Sequence, residues 1–183
     1  GLDAVRIDEA QIRDLAERDD FAAALSDGPR ALTLYDMRHE PIAIGRCLAP
    51  AATAIGLGAS DPYEPMVLVV TPAAVWSLRA SDCTPVATFA SPAGELVVAV
   101  ATRDGRFVAA GTRAGDVHVW RGDGALVASA ALQQGAVTTL SLDLAEAFLW
   151  SGAWDGRANS LDLATLDVPR ADLVRAIVGA WRP

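Results

Sequence analysis

Two histidines, His39 and His118, are the only imidazoles in the chain of 183 residues. They are neither adjacent nor at metal-ligand spacing, so no metal site is expected. His39 lies in a surface turn, Met37 to Glu40, and His118 alternates with Val117 and Val119 along a strand; both read as structural or solvent-facing. Ser26, Ser81 and Ser151 occur without a G-x-S-x-G elbow, so a Ser–His–Asp site could be assembled only from distant residues. Asp14, Glu17, Asp19 and Asp20 form an acidic run that reads as a solvated face, with a docking patch for a basic partner as the alternative. All 15 basic residues are Arg. Without Lys, the phosphate-loop amine, Schiff-base chemistry and Ser–Lys dyads are excluded. Gly56 and Gly58 make a bare Gly-Leu-Gly, which reads as a strand kink rather than a nucleotide fingerprint. No catalytic residue, cofactor or metal is expected, and the chain reads as a non-enzyme.

The bulk properties narrow the partners. The net charge is −8 and 52% of residues are hydrophobic, which indicates a globular protein and disfavours nucleic-acid and anionic-membrane binding. No run of about 18 apolar residues is present, so no membrane span is expected. Cys47 and Cys83 form no CxxC pair; they read as reduced thiols of a cytoplasmic protein, with a single bridge between them left open. Arg in place of Lys together with abundant Ala associates with a GC-rich bacterial genome. The start at Gly1 is read as a trimmed leader or a piece of a longer chain.

The elements that position these residues recur. Ala31–Asp36, Ala73–Leu78, Gly115–Trp120 and Arg157–Leu163 end alike, and aligned on Tyr35, Trp76, Trp120 and Leu161 they are spaced 41, 44 and 41 residues apart. That period fits four short strands with their turns. In the third unit, Leu96–Ala101, Phe107–Ala110, Val117–Trp120 and Leu126–Ala130 are strands separated by Asp-Gly and Gly-rich turns. The fourth unit repeats the pattern through Leu163, the second is looser, and the first is weakest. Residues 7–20 are read as a helix or an elaborated connection, and Pro169 to Trp181 as a short amphipathic helix. The expected organisation is an N-terminal helical or irregular segment over 1–20, blades over 21–165 and a C-terminal helix over 166–183.

Over roughly residues 20 to 165, and most of all in Gly105–Trp120 and Phe148–Leu163, the chain resembles the WD-repeat β-propeller family. Asp155-Gly156 stands six residues before Leu161, as the Asp-Gly turn of the family does, while Ala114-Gly115 holds that place before Trp120. The Gly-His dipeptide of the family is absent; Gln133-Gln134-Gly135 stands near its place, so the family's Asp–His–Ser–Trp network is not expected to form fully. The resemblance implies an all-β propeller of about four four-stranded antiparallel blades that acts as a protein-binding scaffold or regulatory module.

Four blades raise a question of closure, because an open arc leaves the apolar faces of its end blades uncovered. A small closed ring, pairing with a second copy or propeller fragment, and completion within a larger assembly or precursor all answer it; the last is the expected one. Trp76, Trp120 and Trp150 are expected in the core. Trp154, Arg113, Gln133, Gln134 and Asp155 are expected to form a protein-binding patch on one rim. A propeller-type hydrolase with a site over the central channel, or a purely structural cap, are the competing readings.

Overall fold

The computed structural model describes residues 12–166 except 19, 27–30, 39–41, 50 and 62–63; the side chains of 15, 18, 59–61 and 64–65 are also outside the description. His39 and the expected C-terminal helix lie outside the described residues. The chain forms antiparallel meanders in which each strand pairs only with its sequence neighbours in the same sheet. The first sheet, or blade 1, contains β1 (Ile12–Arg18), β2 (Phe21–Ser26), β3 (Ala31–Asp36) and β4 (Ile42–Leu48). Blade 2 contains β5 (Ala54–Asp61), β6 (Glu64–Val70), β7 (Ala74–Arg79) and β8 (Pro85–Ala90). Blade 3 contains β9 (Leu96–Ala101), β10 (Phe107–Thr112), β11 (Asp116–Arg121) and β12 (Leu126–Ala131). Blade 4 contributes three described strands, β13 (Val137–Leu142), β14 (Phe148–Ala153) and β15 (Ala158–Asp162), followed by a 3-10 turn over Ala164–Leu166.

The N-terminal helical segment expected from sequence is replaced over Ile12–Arg18 by a strand, which pairs with β2 from Ile12↔Ser26 to Arg18↔Phe21. Tertiary pairing overrides local preference there: the Ala-rich β2 needs an inner neighbour for its backbone groups. The only helical element among the described residues is the 3-10 turn.

Successive blades stack through alternating apolar positions, since residues two apart share a sheet face. Leu25, Leu32 and Leu34 of blade 1 meet Ile55, Leu57, Val67 and Val69 of blade 2. Leu68, Val70, Val75 and Phe89 of blade 2 meet Leu96, Val108 and Trp120 of blade 3, with the Phe89 and Trp120 rings tilted at 53° and 6.1 Å apart. Phe107, Ala109, Val117 and Val119 of blade 3 meet Val137, Leu140 and Leu149 of blade 4. Each fully buried Leu, Val or Phe side chain contributes about 1.5–3 kcal/mol relative to exposure, so these three layers hold the blades together. The innermost strands β1, β5, β9 and β13 follow one another around the concave side.

The strand register corrects the sequence alignment. Tyr35 pairs with Ala22, Leu78 with Val67, Trp120 with Val108 and Leu161 with Leu149. Leu78, not Trp76, is therefore the blade 2 counterpart of Trp120, and the spacings become 43, 42 and 41. Trp120 is buried as expected, but Trp76 is 39% and Trp150 48% exposed.

The reading of Cys47 and Cys83 as reduced thiols is also overturned. They form a disulfide, with Cα atoms 5.8 Å apart, that ties the outer strand of blade 1 to the β7–β8 turn of blade 2. Cys83 holds a left-handed backbone, φ 61°, a conformation that L-residues other than Gly adopt rarely.

Candidate protein-interaction site

Three segments meet on one rim at blades 3 and 4: the β10–β11 turn, the connection from β12 to β13, and the β14–β15 turn. Gly115 makes the first junction. Its φ is 102°, and a Cβ there would strike the Gln133 carbonyl, so only Gly allows the close approach. Across it the Gln133 N–H donates to the Gly115 carbonyl at 3.1 Å. Asp155 makes the second junction: its carboxylate accepts from the Gln134 N–H at 2.8 Å and from the Arg157 N–H at 2.9 Å. Those two amides, the Gln134 bond first, hold the Asp155 carboxyl below its ordinary value. The Trp154 N–H donates to the Ala136 carbonyl at 3.2 Å, and its side chain is left 81% exposed.

Arg113, on the neighbouring turn, is exposed and forks onto the Glu95 carboxylate through two hydrogen bonds of 2.9 Å. The pairing raises the Arg113 pKa and lowers that of Glu95, in each case chiefly through the mutual hydrogen bond. Gln134 is exposed, whereas Gln133 turns inward and is 7% exposed. The Gln133 side chain donates to the Ser151 carbonyl at 3.1 Å and hydroxyl at 3.0 Å, and accepts from the Asn159 amide at 3.1 Å. Of the five residues expected on this rim, four present surface or build it, and Gln133 staples it from below.

The staple has a counterpart that sequence reasoning missed. Asn159 pairs with Ser151 as His118 pairs with Ala110, so the two hold the same place in successive blades. Asn159 donates to the Leu132 carbonyl at 2.7 Å. His118 bonds the Ala93 carbonyl through Nε2 at 2.9 Å and Ser129 Oγ through Nδ1 at 2.9 Å. A carbonyl only accepts, so Nε2 carries a proton, and in the neutral ring the hydroxyl donates to Nδ1. Each residue clamps the connection that enters its blade. Among the described residues blade 4 is stapled instead by Gln133, Ser151 and Asn159 through ordinary amide and hydroxyl bonds. The sequence signal was present only as polar residues at alternating positions in otherwise apolar strands.

The concave side holds an open cavity of about 900 Å³ lined by the inner strands, Arg103 and the β13–β14 turn. Its polar margin is already engaged: Asp14 accepts the Ile55 N–H at 2.8 Å, and Glu146 accepts the Arg103 N–H at 2.6 Å. Asp14, read as part of a solvated acidic run, thus bridges blades 1 and 2. His118, 1% exposed, is buried within blade 3. Among the described residues no group of three or more His, Cys, Asp or Glu side chains could hold a metal ion. No described helix is long and apolar enough to cross a membrane.

Separate antiparallel sheets following one another around a concave axis define a β-propeller fold. Solved propellers superpose on it. The chain resembles the computationally designed Ika4 protein at a TM-score of 0.67 and 17% identity, covering 88% of this chain and 98% of that one. It resembles the designed Ika8 protein at 0.63 and 16% identity, covering 82% and 45% of the two chains. The C-terminal WD40 domain of Sif2 aligns at 0.61 and 16% identity, covering 81% and 42%. The chain thus spans less than half the length of the last two. No family model matches the chain, and no curated protein matches its sequence.

Proposed function

We propose that this chain is a non-catalytic protein-interaction scaffold, built as a degenerate WD-type propeller segment, whose partner docks on the rim of blades 3 and 4. The observation that carries the reading is Trp154. A large aromatic is 81% exposed on a turn whose backbone is fixed on both sides by Asp155 and by the Ala136 carbonyl. A rigid, exposed aromatic loses little conformational entropy on binding and is a common anchor of interfaces. Arg113, Gln134 and Asp155 supply polar groups around it, and the propeller likeness to a WD40 domain supports the same class. The net charge of −8 favours a partner with a basic contact surface. The disulfide supports an oxidising compartment rather than the cytoplasm expected from sequence.

Site-specific photo-crosslinking in the producing cells tests this. A photoreactive residue at Trp154 should capture one defined protein, and the same probe at Leu144, exposed at the opposite end of β14, should not. Equal capture at both positions, or none at Trp154, contradicts the reading.

A further inference from the structure

We infer that the Cys47–Cys83 bond is a thiol-operated latch between blades 1 and 2, opened in the folded protein by a small thiolate that attacks Cys83 Sγ. It involves none of the rim residues and is independent of the interaction role. The bond joins two elements that no backbone ladder joins: β4 is the end strand of its sheet and pairs with β3, while the β7–β8 turn belongs to the next sheet. The two touch there, since a Cβ on Gly45 of β4 would strike the Ala80 carbonyl.

The two cysteines are not equivalent. Cys47 pairs with Leu32, shares a core cluster with Leu34 and Ala80, and is buried. Cys83 is half-buried on a turn where Ser81, Asp82, Thr84 and Pro85 are all exposed. The line from Cys47 to Cys83 therefore runs from the core toward the surface. In thiol–disulfide exchange the incoming sulfur approaches in line with the bond it breaks, from the far side of the attacked atom, so access selects the sulfur. For Cys83 that side is the exposed turn; for Cys47 it is the packed layer between the blades.

The turn presents Cys83 through bonds of its own. The Arg79 N–H donates to the Thr84 carbonyl and the Cys83 N–H to the Arg79 carbonyl, both at 2.9 Å, and the Asp82 carboxylate accepts from the Thr84 N–H at 2.9 Å. These bonds hold the left-handed backbone of Cys83 and do not pass through sulfur, so the turn persists when the bridge opens. Leu25, Leu32, Ile55 and Val69 likewise pack between the blades without it. Opening therefore releases the outer edge of the layer and leaves the blades stacked, a local rather than a global event. With glutathione the step balances. Its thiolate bonds to Cys83 Sγ, the Cys47–Cys83 bond breaks, and the electron pair leaves on Cys47 Sγ, which takes a proton from water. One disulfide replaces another, with no net oxidation or reduction, and attack of Cys47 on the mixed disulfide closes the latch again.

The experiment treats the oxidised full chain with a large excess of glutathione, in buffer and in denaturing urea. Acid quenching, alkylation of free thiols and peptide mass mapping then locate the glutathione. Capture in buffer should proceed within about tenfold of its rate in urea, and Cys83 should carry the glutathione at least about tenfold more often than Cys47. Hydrogen exchange of the captured protein should rise over residues 42–48 and 79–85 and stay unchanged in blades 3 and 4. Capture confined to urea, an equal share of glutathione on Cys47, or protection lost throughout the chain would each overturn the inference.

Discussion

The Cys47–Cys83 disulfide closes a loop across two blades, and its contribution follows from the sequence separation of 36 residues. Cross-linking a loop of that length lowers the entropy of the unfolded chain enough to stabilise the fold by about 4 kcal/mol at 25 °C. Cys47 is buried at 7% within the core between blades 1 and 2, so the bond also fixes the stacking of that layer. With a urea slope of about 2 kcal/mol/M, reduction should lower the unfolding midpoint by about 2 M. For a chain of this size the melting temperature should fall by roughly 8–16 °C. The assay is urea unfolding of one preparation with and without a phosphine reductant, followed by far-UV circular dichroism and tryptophan fluorescence. A Cys47→Ala/Cys83→Ala chain is the control and should ignore the reductant. Coincident midpoints for the oxidised and reduced protein, or two titratable thiols in the native non-reduced protein, would refute the argument.

Three other outcomes follow from the buried clamps and the rim. His118→Ala removes two hydrogen bonds of a fully buried side chain and leaves a cavity, so unfolding free energy should drop by about 2–4 kcal/mol; a loss under about 0.5 kcal/mol in urea titration would contradict its clamp role. Gln133→Ala should cost about 1–3 kcal/mol by releasing Ser151 and Asn159, whereas Gln134→Ala, on the exposed neighbour, should leave urea unfolding unchanged. Asp155 has a folded-state pKa below its unfolded value. Its contribution to stability is complete above the unfolded value and is lost as pH falls through the lowered folded one. Asp155→Ala should therefore leave the slope of the melting-temperature profile unchanged above pH of about 5 and flatten it below pH of about 4, and a profile parallel to the wild type in that acid range would exclude the staple.

The repeated sheets were legible because turns and alternation recur: Asp104-Gly105, Ala114-Gly115 and Asp155-Gly156 mark the hairpins, and the apolar runs between them have strand length. The first strand was not. Ile12–Arg18 carries three charged residues in five positions after Ile12 and only one β-branched side chain, so nothing local favours a strand, and its pairing with β2 is decided by tertiary contact. Alternation shows that Trp150 and Leu149 point to opposite faces, but not that the face of Leu149 is the buried one and that of Trp150 is left half exposed. Trp76 lies two residues before the position that closes the blade, which Leu78 fills, so in blade 2 the aromatic does not mark that position. The disulfide has no sequence signature, since a bridge between blades depends on radial stacking rather than on spacing. The rim was read from exposed residue types at turns. Gln133 shared that loop, and only its hydrogen bonds reveal that it faces inward.

The interaction role stands or falls with a titration of the protein captured at Trp154. Calorimetry with the wild-type and Trp154→Ala chains should show affinity reduced at least about tenfold, equivalent to about 1.4 kcal/mol, with unchanged melting because the side chain is 81% exposed. Equal affinities for the two chains would contradict it.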